Sequence, residues 1–269
     1  MSRKYSLWQR QPGFVVGLFG ALSFVLVGGA NAKPGGVDDL GHRPEVKEPE
    51  AEALAPGQAS GALEGTVTFG GTSVPSTTRV VNSTDPEICG IEHSLQNLVV
   101  STENRGIRHV IVSLTGVPEE RIVARTPARL ILDNRDCQFA PHVAVATVGD
   151  TIVAVNSDAT LHNTHYYGIL RSNIALPGRG MTASRVAPSP GLVSVLCDVH
   201  GWMKSYIRID SHPFHAVTDG SGQFRIEGIP PGSYTVELWH ETLGAQEATV
   251  VIEADEVSIR DVEYATSPN

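Results

Sequence analysis

The stretch Leu192–Met203, "LVSVLCDVHGWM", decides how the rest of the chain is read. Its first half is a short apolar run rich in β-branched residues, the composition of a strand. Its second half sets a thiol, an imidazole and a thioether at C-x2-H-x2-M spacing: Cys197, His200 and Met203. A tight loop leaving the end of a strand turns such side chains inward together, and soft donors this close are a metal-ligand pattern. The competing reading is a buried thiol beside a core methionine and a surface histidine.

Working outward, the chain repeats the strand texture. "GTVTFGG" (Gly65–Gly71), "HVIVSLTGV" (His109–Val117), "ARLILDN" (Ala128–Asn134), "HVAVATVGD" (His142–Asp150), "TIVAVNSD" (Thr151–Asp158) and "KSYIRID" (Lys204–Asp210) are β-branched runs broken by Gly, Asn and Asp. No stretch carries a sustained 3.6-residue apolar repeat. The fold class expected is therefore all-β, built as sandwiches or barrels. A second unit starts near Ser211, where an Asp-Gly-Ser-Gly turn and a Pro-Pro-Gly turn separate short strands. The expected domains are 61–129 for the N-terminal strands, 130–210 for the middle domain and 211–269 for the C-terminal sandwich. The residues leave open whether the strands of 61–129 stand alone or belong to the C-terminal sandwich, with the middle domain inserted into it.

Ahead of these, Arg3, Lys4 and Arg10 precede the apolar run Phe14–Ala30, which ends in Ala30-Asn31-Ala32. That is the layout of a signal peptide cleaved after Ala32, which predicts an exported, periplasmic or extracellular protein with no membrane span after cleavage. Residues 33–60 are rich in Pro, Gly, Ala and Glu and read as a disordered acidic linker. Cleavage would remove three of the 20 basic residues and none of the acidic ones, leaving 17 Lys and Arg against 29 Asp and Glu, a formal charge of −12. General nucleic-acid binding, which needs a basic face, is excluded.

An oxidising compartment makes the three cysteines informative. Their odd number leaves at least one unpaired within the chain. The economical assignment is a disulfide between Cys89 and Cys137, which frees Cys197 as a thiolate ligand; a different pairing that includes Cys197 is the alternative. One further donor would complete a site, and "NSDATLHNTHYY" (Asn156–Tyr167) offers His162 and His165. Three residues apart on a strand, the two point to opposite faces, so only one easily faces Cys197. Two imidazoles, a thiolate and a distant thioether are the donor set of a blue-copper electron-transfer site. His142, His212, His215 and His240 read as structural or surface residues, and "TDGSG" as a β-turn, because it lacks the further carboxylates of a calcium loop.

"FAPHVAVATVGDTIVAVNSDATLHN" resembles the cupredoxin family at Phe139, Pro141, Gly149-Asp150, Asn156 and His162-Asn163, a likeness that runs over about residues 130–210. It implies a Greek-key β-sandwich and selects His162 as the ligand. The metal set is then His162, Cys197, His200 and axial Met203 around one type 1 copper ion. It also implies that Asn163 hydrogen-bonds across to the cysteine loop, and that the loop around His200, Gly201 and Trp202 is the port for partners. The short loop is most similar to those of amicyanin-type cupredoxins. The stretch around Thr218-Asp219, Gly222, Phe224 and Pro230-Pro231-Gly232-Ser233-Tyr234 resembles the carboxypeptidase regulatory-like family, a transthyretin-like β-sandwich without catalysis of its own. The combined arrangement is similar to plastocyanin-like or methylamine-utilisation proteins.

The function expected on these grounds is an exported carrier of single electrons, not an enzyme, with a c-type cytochrome or a periplasmic dehydrogenase as partner. A copper-handling protein without electron transfer, or an interaction module that binds no metal, are the alternatives.

Overall fold

The computed structural model describes residues 59–74 and 76–265. The expected signal peptide, and the expected linker up to residue 58, lie outside the described residues. Among the described residues the chain is almost wholly β, as its texture predicts, and no helix is long and apolar enough to cross a membrane.

The first strands are β1 (Gly61–Phe69), β2 (Thr78–Val81), β3 (Glu92–Leu95) and β4 (Ile111–Thr115). Then come β5 (Arg129–Arg135), β6 (Gln138–Ala140), β7 (Val143–Thr147), β8 (Thr151–Asn156) and β9 (His162–Gly168). β10 (Ser172–Leu176), β11 (Thr182–Val186), β12 (Gly191–Leu196) and β13 (Lys204–Asp210) follow. The chain closes with β14 (His215–Val217), β15 (Gln223–Ile229), β16 (Gly232–His240), β17 (Gly244–Ile252), β18 (Val257–Ile259) and β19 (Val262–Tyr264).

These strands form two sandwiches, and sequence order does not follow sandwich order. β1 lies between β15 and β18, with β19 also paired to β1; facing them is a sheet in the order β14-β4-β16-β17. Thus β1 and β4 share one core with the C-terminal strands, through Leu63, Val67, Val112, Phe224, Ile226 and Val236. The alternation in β1, where Leu63, Val67 and Phe69 point inward, is what drives it into that core. Close approach there needs glycine: a Cβ on Gly106 would stand 1.8 Å from the Ser221 carbonyl.

The second sandwich is inserted between β4 and β14. One sheet runs β10-β9-β12-β13-β7 and the other β11-β8-β5-β6. Leu132, Ile152, Val193, Val195, Ile207 and Ile209 fill the space between them. Alternation in β12 buries Val193 and Val195 and carries the chain straight to Cys197 at the strand's end. Residues 169–190 supply β10 and β11, the outer strands of the two sheets.

Two features tie the parts together. Where β13 ends, Asp210 Oδ2 accepts from Ser113 Oγ at 2.8 Å and from His215 Nδ1 at 2.9 Å, while Arg208 reaches Asp210 and Glu237. Burial alone would raise the Asp210 pKa; the hydrogen bonds from His215 and Arg208 outweigh it and hold the carboxyl low. The other is the β2–β3 hairpin, which carries a single helical turn, Pro86–Cys89, and is fastened to the inserted sandwich by the Cys89–Cys137 disulfide.

The bridge spans 48 residues of sequence, for which loop-closure entropy predicts a contribution of about 4 kcal/mol. A Cys89→Ser, Cys137→Ser double variant is expected to lower the urea midpoint accordingly; an unchanged midpoint would remove the hairpin's anchoring role. A second expectation concerns acid. Burial, reinforced by neighbouring His142, pushes His109 and His240 down to about 4. Both stay neutral in the fold but take up protons near their ordinary value of about 6.5 when unfolded. Their contribution is therefore whole above about pH 6.5 and is lost as pH falls from there toward 4. His109 also sits at φ 69°, a left-handed conformation that asparagine tolerates better. His109→Asn should flatten the fall in urea midpoint between about pH 7 and pH 5, and an equally steep fall would contradict this assignment.

Candidate metal centre

β9 and β12 are antiparallel neighbours with Leu196 opposite His165, so the chain running on to Cys197 and Asp198 passes beside Thr164 and Asn163. Strand alternation turns His162, Thr164 and Tyr166 inward, all buried. His165 points the other way: it stacks on Tyr167 and lies 3.0 Å from Asp198, outside the donor cluster. The loop after Cys197 closes on itself, with the Met203 N–H donating to the His200 carbonyl and the Cys197 N–H to the Met203 carbonyl. That closure returns His200 and Met203 to the cysteine.

The result is a cluster of three donors. His162 Nδ1 and His200 Nδ1 are 3.0 Å apart, and Cys197 Sγ is 4.0 Å from the first and 3.9 Å from the second. His162 and His200 are wholly buried, Cys197 3% exposed and Met203 2%. Met203 shares the core of this sandwich with Cys197.

Hydrogen bonds on the outer edges fix which nitrogen carries the proton. His162 Nε2 donates to Asp158 Oδ2 at 2.9 Å, and His200 Nε2 faces Asp85 Oδ2 at 3.4 Å. A carboxylate only accepts, so both Nε2 atoms carry hydrogen and both Nδ1 lone pairs point into the cluster. Burial, then the neighbouring His162, lowers the His200 pKa, which disfavours an imidazolium as the bridge between them. Two buried lone pairs 3.0 Å apart beside a sulfur call for a cation. The separations between the three donor atoms are ones that a single ion, bonded to each at ordinary metal–imidazole and metal–thiolate lengths, would span. The residues present therefore fit a metal ion held by two imidazoles and a thiolate.

Asn163 sits across the cysteine loop. Its Oδ1 accepts from the Asp198 N–H at 2.7 Å and from the Cys197 thiol at 3.4 Å, and its Nδ2 donates to Asp198 Oδ2 at 2.8 Å. Trp202 is half-buried, with its indole N–H donating to the Cys137 carbonyl at 2.9 Å and its ring stacked on His93 at 4.1 Å. Gly201 is exposed.

Several neighbours meet the site with no sign of that contact in their spacing. Asp85, Cys89 and His93 all come from the β2–β3 hairpin; Cys89 Sγ lies 3.6 Å from His200 Nε2. Asp158 had a legible clue, four residues before His162, but nothing in the spacing reveals its other partners. Its Oδ1 accepts from the Asp136 N–H and its Oδ2 from the Cys137 N–H, both at 2.9 Å. Asp136 and Cys137 are the two central residues of the β5–β6 turn and have φ of 55° and 53°. A two-residue hairpin loop of this hand usually takes Gly or Asn, so the Asp158 bonds offset the strain of the two side chains. Cys137, Asp158 and His162 also lie close enough to form a second donor group. Cys137 is oxidised and Asp158 is engaged with the outer edge of His162, so they support the first group rather than compete with it. The other histidines have partners of their own: His142 bonds the Lys204 carbonyl and Glu241, and His212 the Leu114 carbonyl. In "TDGSG", Asp219 Oδ1 accepts from the N–H groups of Ser221 and Gln223, the hydrogen bonds of a turn.

No curated protein matches the chain. The family model for domain II of polysaccharide lyase family 4 matches residues 184–258, a span that starts in β11 and crosses from the inserted sandwich into the other. That span overlaps the stretch read as carboxypeptidase regulatory-like, and the model that matches it describes a different family of β-domain. Among solved structures, the chain is similar to a copper-containing nitrite reductase from Thermus scotoductus SA-01, at 22% identity and TM-score 0.27, over 32% of this chain and 23% of that one. It is similar to a purple cupredoxin from Nitrosopumilus maritimus, at 20% identity and TM-score 0.27, over 30% of this chain and 98% of that one. It is also similar to amicyanin from Paracoccus versutus, at 13% identity and TM-score 0.27, over 36% and 96%. Likeness at this level assigns no activity to the chain.

Asp158→Asn keeps the shape of the side chain but leaves one oxygen to serve the turn and His162. Loss of such a partner typically weakens metal affinity about 10- to 100-fold. Copper competition against a chelator should read that drop with the secondary structure unchanged, and wild-type affinity would contradict the role given to Asp158.

Proposed function

We propose that the chain is an exported mononuclear copper protein that passes single electrons between redox partners. The observation that carries this reading is the pair of buried Nδ1 lone pairs 3.0 Å apart, both facing the Cys197 sulfur. In this reading His162, Cys197 and His200 would hold the ion, and Met203, buried in the same core, would be its fourth, weaker ligand. A bound copper ion supplies a centre that cycles by one electron without making or breaking a bond to substrate.

The chain's own residues do the rest. Cys197 gives up its thiol proton to become the strongest donor. Asp158 and Asp85 keep the imidazole protons on the outer nitrogens, so the inner ones stay free to bind. Asn163 pins the start of the cysteine loop to β9, which resists movement of the sulfur. The enclosing core keeps water, and with it a fifth ligand, away from the site. Donors held this rigidly change little between the two charge states, which keeps the barrier to electron transfer low. With His162, Cys197, His200 and Met203 as its ligands the ion would have no open position for a substrate, so the chain is proposed as a carrier and not as an enzyme. Its partners would be a c-type cytochrome or a periplasmic dehydrogenase. A copper-handling role without redox exchange is disfavoured by the burial of all four side chains, which would slow release of the ion.

The test is optical. Oxidised, copper-loaded protein should show an intense visible thiolate-to-copper band, and Cys197→Ser should abolish it, whereas His165→Ala should leave it intact. A wild-type protein with bound copper and no such band would end this reading.

A further inference from the structure

The buried cluster is closed off from solvent on the side of His200 by the β2–β3 hairpin. His200 presents Nδ1 to the other donors and Nε2 outward, yet it has no exposed surface. Nε2 meets Cys89 Sγ at 3.6 Å and Asp85 Oδ2 at 3.4 Å. Cys89 and Asp85 are themselves partly exposed, so the turn they belong to is one residue thick between the imidazole and water. The Cys89–Cys137 bridge and the Asp85–Thr160 hydrogen bond hold that turn in place. The face of Trp202 is taken by His93 of the same hairpin. The path from the cluster to the surface through His200 therefore leads through residues 85–89.

The outside of this hairpin is unusually apolar for so small an element. Val81 is 74% exposed, Ile91 70% and Ile88 44%, and Leu161, next to the Thr160 that bonds Asp85, is 40% exposed. Single exposed apolar residues need no explanation, but several on one short hairpin mark an interaction site. The charges around them are one-sided. Between residues 78 and 95 stand Asp85, Glu87 and Glu92 against the single Arg79, which is paired with Glu92. An apolar centre with an acidic rim fits a partner whose own apolar centre has a basic rim.

We infer that the hairpin tip around Ile88 and Ile91 is the docking face for a one-electron carrier protein with a basic rim, and that electrons cross there through the Cys89 and His200 side chains. This rests on the copper reading above. It moves the contact from the Gly201–Trp202 loop to a segment outside the inserted sandwich. In each encounter the partner loses one electron and the copper centre gains one, or the reverse; no bond or proton changes hands.

The experiment follows electron exchange between copper-loaded full-length protein and a basic c-type cytochrome by stopped flow, using the visible band and the haem spectrum. The ionic strength is about 0.01 M in one series and about 1 M in the other, where the Debye length shrinks from about 30 Å to about 3 Å. Ile88→Ser with Ile91→Ser should slow exchange by about tenfold or more at low salt while the visible band is unchanged. Val251→Ser, an exposed position on the other sandwich, should leave the rate at the wild-type value. The wild-type rate should fall as salt rises. A band-positive double variant that exchanges at the wild-type rate, or a wild-type rate that does not fall with salt, would overturn the docking face and leave the copper reading standing. Absence of the band in the wild type would remove both.

Discussion

The carboxylate of Asp158 is the contact on which the site and its cover both depend. One oxygen holds the Asp136 N–H, while the other holds the Cys137 N–H and the outer nitrogen of His162. The first two bonds stabilise a turn whose residues are both left-handed, and that turn carries Cys137. The third fixes the His162 tautomer, so its inner nitrogen meets the cluster as a lone pair. Through the disulfide, the same turn fastens the hairpin that brings Asp85 and Cys89 against His200. A single buried carboxylate thus links the orientation of one imidazole to the enclosure of the other.

The two sandwiches divide the remaining work. The inserted one supplies every donor, from β9 and from the loop between β12 and β13. The outer one is assembled from strands before and after the insertion, so the insertion is held at both ends by strands of a common core. At their junction the buried Asp210, with partners from β4, β13 and β14, adds a polar tie that binds the end of β13 to the neighbouring sandwich.

Much of this was legible in the sequence because it is local. Period-two alternation in "LVSVL" and "TIVAV" gave the strands, and three-residue spacing separated His162 from His165. The C-x2-H-x2-M spacing turned Cys197 and His200 onto one centre, and an odd cysteine count left Cys89 and Cys137 to pair. What stayed hidden is what local pattern does not encode. The sequence left open whether β1 and β4 stand alone or belong to the C-terminal sandwich; their pairing with β15 and β16, more than a hundred residues away, decides for the second. Residues 169–190 form edge strands, and the cover over His200 comes from "NSTDPEICG", where nothing in the pattern announces that Asp85 and Cys89 will meet an imidazole. The cupredoxin resemblance implied a partner port at His200, Gly201 and Trp202; the fold buries His200 under a segment from far up the chain.

The measurement that bears most directly on this account is X-ray absorption at the copper edge of the reconstituted protein. One short sulfur ligand with two imidazole nitrogens, lost as a set in Cys197→Ser, is the predicted coordination. A shell of nitrogen and oxygen alone, with no sulfur, would contradict the assignment of Cys197, His162 and His200 as the metal site.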